Sequence, residues 1–130
     1  MAKILVVDDS GLARRTLNKI LIEAGHEVVL VNDGMAALEQ FTLTPYDLVM
    51  LDLTMPGISG LSVLDKLIAL DPEARVLIAT ADIQKTSREL SMAGGAIGFL
   101  AKPFKTEIVI NAVNKALAGG SNADEPKANG

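Results

Sequence analysis

Three acidic residues stand where two apolar runs of the sequence end. Asp8 and Asp9 directly follow the apolar run over residues 4–7, and Asp52 follows the run over residues 48–51. Carboxylates brought together repel one another, and a hard divalent cation with oxygen ligands relieves that repulsion. Because Mg²⁺ takes only one or two carboxylates together with waters and phosphate oxygens, this pattern is typical of a site that accepts a phosphoryl group.

Two further polar residues follow apolar runs later in the chain. Thr80 comes after the fourth run and Lys102 after the fifth. Phosphoryl transfer needs a nucleophile, a metal ion and further positive or donor groups around the transferred unit. Asp52 is the predicted nucleophile, Lys102 would pair with phosphoryl oxygens, and the Thr80 hydroxyl would donate to another oxygen. The predicted product is an aspartyl phosphate.

Alternating strands and helices must position these residues. Short runs rich in Val, Ile and Leu alternate with longer amphipathic stretches, which predicts βα units and a parallel sheet covered on both faces. Strands are predicted over residues 3–7, 27–31, 47–51, 75–79 and 97–101. With the strand order 2-1-3-4-5, the first and third strands are neighbours and their terminal carboxylates converge. The predicted fold is a flavodoxin-like, doubly wound (βα)5 sandwich of three α/β layers.

The first two helices are marked by apolar periodicity and by capping residues. The first carries apolar residues at helical spacing, namely Ala13, Leu17, Ile20, Leu21 and Ala24. Gly25 supplies the stop that follows it. Asp33 is the predicted N-cap of a second helix over residues 35–43.

The later helices are predicted in the same way. Ser59 or Gly60 opens the third, which ends at Asp71-Pro72. Its buried face is predicted to include Leu61, Leu64 and Ile68. The last helix spans about residues 105–118, with Ile108, Ala112, Val113 and Ala116 on its inner face. The fourth, about residues 83–93, has few large apolar residues, so we expect it to be weakly anchored.

Composition limits the possible classes of protein. The chain has 130 residues, 49% of them apolar, which fits one globular domain. Residues 1–118 form the predicted domain, and residues 119–130 lack large apolar side chains and are predicted to be a disordered tail or a truncated linker. The net charge is −4 and the basic residues are scattered, so neither direct nucleic-acid binding nor membrane insertion is expected. The chain has no cysteine and no signal peptide, which favours the cytoplasm.

The polar strand ends stand in motifs that resemble the response-regulator receiver family of two-component systems, over about residues 2–118. The motifs are Ile4-Leu5-Val6-Val7-Asp8-Asp9-Ser10, Leu51-Asp52-Leu53-Thr54-Met55-Pro56-Gly57 with Gly60 following, Ala79-Thr80-Ala81, and Lys102-Pro103-Phe104. In its organisation, this chain most resembles the single-domain chemotaxis regulators of that family. The resemblance implies a signalling switch rather than an enzyme, one that phosphorylates itself from a phosphodonor and dephosphorylates itself.

The resemblance also implies a ligand set. Asp9 and Asp52 would bind Mg²⁺ directly, or Mn²⁺ in its place. Asp8 would act through water, and the Thr54 backbone carbonyl would be a further ligand. Thr54 and Asp82 occupy family positions that influence dephosphorylation.

The resemblance also implies a conformational switch. Phosphorylation would draw the Thr80 hydroxyl inward, Phe99 would follow, and the surface around helix four, strand five and helix five would change. Because position 99 holds Phe, a switch that depends on a phenolic hydrogen bond is excluded. A cis peptide before Pro103 is also implied.

The implied partners are a sensor histidine kinase or phosphotransfer protein, and a downstream target, with the flagellar motor switch among the possibilities. Residues 95–99 lack the acidic pair of dimeric DNA-binding receivers, which favours a monomer. Alternatives stay open: a receiver cut from a larger DNA-binding or enzymatic regulator, a phosphorelay intermediate, or a phosphate sink. The cognate kinase, the output pathway, the phosphate lifetime and phosphorylation-dependent dimerisation are not determined by the sequence.

Rival interpretations explain fewer residues. A haloacid-dehalogenase-type phosphatase would need a second acid where Thr54 stands, and a nucleotide-binding loop would need more glycines than Gly11 alone. Single residues have simpler explanations. His26 is predicted to be a solvated turn residue, and Arg14 and Arg15 favour a solvated helix face over a kinase-docking site. Met55 and Phe104 are predicted to be packing residues.

Overall fold

The sheet places the first and third strands side by side at its centre. A computed structural model describes residues 1–119 and contains five parallel strands in the order β2-β1-β3-β4-β5, which confirms the predicted topology. The strands are β1 (Lys3–Val7), β2 (Glu27–Val31), β3 (Leu48–Leu51), β4 (Val76–Thr80) and β5 (Gly98–Ala101). Of the predicted tail at 119–130, all but Gly119 lies outside the described residues.

The strand ends differ from prediction by one residue at most. β1 and β2 match, β3 and β5 begin one residue later, and β4 is shifted by one residue at both ends. Thr80 is paired with Ala101 in the parallel ladder, so it is the last residue of β4 rather than the first residue after it. The sheet itself therefore fixes the Thr80 backbone beside the site.

Helices cover both faces of the sheet and enclose two apolar clusters. One cluster packs α1 (Gly11–Glu23) and α5 (Thr106–Leu117) against one face. The other packs α2 (Gly34–Leu43) and α3 (Gly60–Leu70) against the opposite face. The result is the predicted arrangement of three layers.

The predicted caps of the first three helices are present. Asp33 caps α2 by accepting a hydrogen bond from the Ala36 N–H, and Ser59, rather than Gly60, is the N-cap of α3. Gly25 follows α1 with a positive φ of 93°, a conformation that favours glycine. Local side-chain chemistry therefore determines where these helices begin and end.

Two predicted helix faces were partly wrong. On α3 the fully buried side chains are Val63, Leu64 and Leu67, whereas Leu61 and Ile68 are only half-buried. On α5 they are Val109, Val113 and Ala116. Ala112 is half-buried, and Ile108 is 55% exposed, because residues one apart on a helix point about 100° apart. Val113 and Ala116 are therefore buried as predicted, and the error was to place Ile108 rather than Val109 on the inner face.

The fourth helix, α4 (Lys85–Ala93), is the least buried of the five described helices. Its only fully buried residue is Ser91, a polar one. Met92 packs partly against the second cluster. This agrees with the weak anchoring that the sequence predicts. Within residues 1–119, none of the helices has the length and apolar character needed to cross a membrane.

Candidate functional site

Backbone hydrogen bonds extend the sheet by one residue at each loop that carries a site side chain. The Asp8 N–H donates to the Val31 carbonyl at 3.2 Å, and the Asp52 N–H donates to the Val7 carbonyl at 3.0 Å. The Lys102 N–H donates to the Thr80 carbonyl at 2.9 Å. These bonds fix the points from which the site side chains project.

The predicted carboxylates converge. One oxygen from each of Asp8, Asp9 and Asp52 lies within 4.8 Å of the others, and we call these residues the acidic triad. Asp8 is 1% exposed and Asp52 is 2% exposed, while Asp9 is exposed to solvent. The triad is therefore buried on its sheet side and open on one side.

Lys102 contacts two members of the triad. Its Nζ lies 3.0 Å from Asp8 Oδ2 and 3.6 Å from Asp52 Oδ2. Burial lowers the pKa of Lys102, but contacts with Asp8 and Asp52 outweigh burial, so the net pKa is raised. The lysine thus carries its charge at neutral pH and points it at the predicted nucleophile.

The electrostatics of Asp8 suit a cation site. Burial is the main cause that raises the pKa of Asp8, and the nearby Asp52 charge raises it further, against the lowering effects of the Ser10 N–H and Lys102. The ammonium offsets only one of the three carboxylate charges. Excess negative charge on hard oxygen ligands is the donor chemistry that Mg²⁺ takes, so the residues present fit the predicted ion.

The loop after β3 is held close to the start of α3. The Thr54 N–H donates to Asp52 Oδ1 at 3.3 Å, and the Gly60 N–H donates to the Leu53 carbonyl. A Cβ at Gly60 would lie 2.4 Å from the Asp52 carbonyl oxygen, so this position has no room for a side chain. Nothing observed tests whether the Thr54 carbonyl is a metal ligand, which stays a prediction.

Thr80 and Phe99, the two residues of the predicted switch, lie on the neighbouring strands β4 and β5. Thr80 is fully buried, and its Oγ1 accepts a hydrogen bond from the Asp82 N–H at 3.2 Å. Phe99 is half-buried, with the Arg88 guanidinium 5.2 Å from its ring centroid. Their part in signalling is untested by this geometry and stays a prediction.

Three smaller predictions have clear outcomes. The Lys102–Pro103 peptide bond is cis, as the resemblance implies. Met55 and Phe104 pack against the apolar clusters, which confirms them as packing residues. The prediction for His26 was wrong, because this residue is half-buried and its Nδ1 accepts a hydrogen bond from the Ala2 N–H. The turn before β2 folds His26 back onto the start of β1, so it is not simply solvated.

Arg14 is a site-supporting residue that the sequence interpretation missed. Its Nη1 donates to the Asp8 carbonyl at 2.7 Å and so braces the loop that carries the acidic pair. A cation in the first turn of a helix is disfavoured by the helix dipole. That unfavourable position was the signal that could have found it.

Comparisons with known proteins agree with this geometry. A family profile described as the response regulator receiver domain matches residues 4–114. The chemotaxis protein CheY of Bacillus subtilis is 34% identical over 116 residues, which is 88% of this chain and 97% of that protein. Sporulation initiation phosphotransferase F of Bacillus subtilis is 36% identical over 124 residues, 92% of this chain and 97% of that protein. The solved structure of Vibrio cholerae CheY4 has a TM-score of 0.85 and 29% identity, covering 89% of this chain and 98% of that one.

Proposed function

The chain belongs to the response regulator receiver family, and from that membership we propose that it is a phospho-accepting switch whose acceptor is Asp52. Receiver domains are signalling switches rather than catalysts for an external substrate. The observation that carries the proposal is the position of Asp52, a buried carboxylate within 4.8 Å of two other acids and 3.6 Å from the Lys102 ammonium. Asp52 is the member of the triad that the central strand β3 presents.

In the proposed reaction, a carboxylate oxygen of Asp52 attacks the phosphorus of a phosphohistidine on a sensor histidine kinase or phosphotransfer protein. The P–N bond breaks as the P–O bond forms, and the leaving imidazole takes up a proton. Lys102 lies beside Asp52 and would pair with phosphoryl oxygens, and the Thr80 hydroxyl would donate to another. The acceptor then carries an aspartyl phosphate.

We propose that the acidic triad, with the Thr54 carbonyl, holds Mg²⁺, or Mn²⁺ in its place. When bound, the ion neutralises charge on the triad and on the phosphoryl oxygens. Asp9 and Asp52 would be the direct ligands and Asp8 would act through water. The Ser10 N–H donates to Asp8 Oδ1 at 2.9 Å, which would hold that carboxylate in place.

A protein phosphodonor has a surface to approach. A groove of about 440 Å³ opens beside Lys102 and is lined by Leu12, Ala13, Pro103 and Phe104 among others. Leu12 is exposed, so the groove presents apolar area next to the site, as an interaction surface would. This supports a kinase or phosphotransfer protein as the donor.

Phosphorylation would draw the Thr80 hydroxyl toward the phosphoryl group and let Phe99 pack further inward. The exposed surface of α4, β5 and α5 would change, and with it the affinity for a downstream partner. Leu90 on α4 and Ile108 on α5 are exposed apolar side chains on these elements. A partner that covers them would respond to the state of Asp52.

We favour chemotaxis or motility as the pathway, with the flagellar motor switch among the possible targets, because of the similarity to CheY proteins. The similarity to a sporulation phosphotransferase along nearly its whole length favours a second candidate, a phosphorelay intermediate. We further propose a monomer that acts in the cytoplasm, with a domain at 1–118 followed by a tail or linker. A receiver separated from a larger regulator and a phosphate sink remain alternatives.

Asp52→Asn tests the acceptor. The amide is a poor nucleophile, so incubation with Mg²⁺ and acetyl phosphate should add one phosphoryl group to the parent and none to the variant, as measured by intact mass. Asp65→Asn, at an exposed acid on α3, is the matched control and should be modified like the parent. An adduct of equal yield on Asp52→Asn would overturn the assignment. Onward transfer to a phosphotransfer protein's histidine would distinguish the relay from a terminal switch.

A further inference from the structure

Thr80 is joined to the start of α4 by a short run of hydrogen bonds. Its Oγ1 accepts from the Asp82 N–H at 3.2 Å. The Asp82 carboxylate then accepts from the Gln84 N–H at 3.2 Å and from the Ser87 hydroxyl at 2.6 Å. We call the hydrogen bond between the Asp82 carboxylate and the Ser87 hydroxyl the clasp.

Helix α4 begins without an ordinary side-chain cap. The N-cap of α4 is Gln84, and its side chain makes no capping hydrogen bond. In α1, α2 and α3, by contrast, the N-cap side chain itself accepts from the first turn of the helix. The start of α4 is therefore tied to Asp82, and through the Asp82 backbone to the hydroxyl of Thr80.

The connection continues along α4 to β5. The Ser87 carbonyl accepts from the Ser91 hydroxyl at 2.8 Å, and the Ser91 carbonyl accepts from the Ala96 N–H at 3.0 Å. Ser91 is the fully buried residue of α4. Beside Ser87, the Arg88 guanidinium covers the Phe99 ring at 5.2 Å from its centroid. One helix therefore connects Thr80 with Phe99 by polar and ring contacts.

We propose that the clasp holds α4 and Phe99 in the resting arrangement, and that it opens when the Thr80 hydroxyl turns toward a phosphoryl group on Asp52. Asp82 and Ser87 are positioning residues that set how much of the phosphoryl signal reaches the α4 surface. The inference rests on the proposed function, whose switch it specifies. It assigns to Ser87, a residue outside the acidic site, control over the response.

Losing the clasp is expected to favour activation, and the reason lies in the resting hydrogen bonds. A threonine side chain is stiff about χ1 and moves between staggered rotamers, so Oγ1 cannot turn to a new partner and keep its distance to the Asp82 N–H. Contacts that stabilise only the resting form oppose activation by their own free energy. Removing the clasp should therefore favour the active form, whereas a merely structural loss would lower stability without raising affinity for a phosphoryl mimic.

The test uses a tryptophan in place of Phe99 as the reporter. The chain contains no tryptophan, so Phe99→Trp gives a single emission signal, and an indole preserves the contact with Arg88. Beryllium fluoride with Mg²⁺ serves as the phosphoryl mimic, and its Kd is measured by fluorescence titration. In this background, Ser87→Ala should bind the mimic about threefold to tenfold more tightly, the range expected for one lost hydrogen bond. Its resting emission should already lie toward the saturated value.

Two variants serve as controls. Ser87→Thr keeps the hydroxyl and should behave like the parent. Ser62→Ala removes a hydroxyl from the third residue of α3, the position that Ser87 has in α4, and should also leave the Kd unchanged. An unchanged or weaker Kd for Ser87→Ala, or an equal gain for Ser87→Thr, would overturn the clasp.

Intact mass after acetyl phosphate treatment separates the two proposals. If the reporter chain gains a phosphoryl group at Asp52 but its emission does not respond to the mimic, the clasp fails and the acceptor assignment stands. If the parent gains no phosphoryl group and the reporter does not respond, both proposals fail together.

Discussion

The acidic edge of the sheet and helix α4 lie near each other but are built differently. At the edge, backbone hydrogen bonds to neighbouring strands hold the loops after β1, β3 and β5, and two of the three acids are almost completely buried. On α4, one serine is fully buried, and the N-cap side chain makes no capping hydrogen bond. The Ser87 hydroxyl of the first turn donates to the Asp82 carboxylate instead. A firmly held acidic site thus lies near a loosely held surface element.

Under the proposed function, this difference would let a small chemical event at Asp52 change the α4 surface. Regions with few buried apolar contacts open at low free-energy cost, whereas packed strands open only at a cost near that of global unfolding. Placing the reactive groups on strand ends keeps their geometry fixed. An output carried by α4, as proposed, would be free to respond.

A pair of identical substitutions measures the contrast directly. Leu67→Ala on α3 removes a fully buried side chain and should lower the free energy of unfolding by about 3 kcal/mol. Leu90→Ala on α4 removes a side chain that is 52% exposed and should cost under about 0.5 kcal/mol. Urea denaturation of both variants gives the two values. Equal losses would mean that α4 is as firmly packed as α3.

Asp8→Asn tests the electrostatics of the acidic edge of the sheet. The native pKa of Asp8 is raised above its ordinary value of 3.8, so its ionisation costs folding free energy that grows as pH rises through the ordinary and then the native value. Without metal, the variant should therefore be more stable than the parent at pH 7. Its Tm should rise by roughly 3 °C for each kcal/mol of ionisation cost that the substitution removes. Below pH 3.8 the two proteins should differ little.

Thermal melts with and without Mg²⁺ check this prediction. Ligand binding stabilises the parent by mass action, and the variant, with one acid fewer, should gain less from the ion. Asp65→Asn, in an exposed position of α3, is the control and should follow the parent at each pH. A variant less stable than the parent at pH 7 without metal would contradict a net cost of ionising Asp8.

The smallest expected effect lies at the contact between α4 and β5. Arg88→Ala removes the guanidinium from the Phe99 ring and should cost at most about 1 kcal/mol, the usual size of an exposed cation–π contact. Amide hydrogen exchange should rise in α4 and stay unchanged in β1 and β3. Lys85→Ala, in the first turn of the same helix, is the control. Faster amide exchange spread evenly over the sheet of Arg88→Ala would contradict a local effect.

Much of the fold and of the acidic site could be predicted from the sequence because both depend on local patterns. Apolar runs mark the strands, and right-handed crossovers bring the residues after them to one edge. Asp8, Asp9 and Asp52 converge as predicted, with Lys102 beside them. Capping residues such as Asp33 and Ser59 act within one turn, so their roles could also be anticipated.

What could not be predicted depends on contacts between segments. His26 accepts a hydrogen bond from the Ala2 N–H because the turn before β2 brings it to the start of β1. Arg14 reaches the Asp8 carbonyl because of the path of the loop after β1. The exposure of Ile108 depends on how α5 is rotated against the sheet, which neighbouring apolar stripes leave ambiguous. The clasp joins residues five apart in sequence, but nothing in their types distinguishes them from solvated residues.

In the proposed switch, phenylalanine at position 99 would affect how the response depends on temperature. Its ring has no polar group, so the free energy of the proposed inward movement would come from removing apolar surface from water. That driving force weakens on cooling and is accompanied by a negative change in heat capacity. A cell that uses this protein would therefore receive a weaker signal per phosphoryl group in the cold, and calorimetry of mimic binding at several temperatures would give the size of the loss.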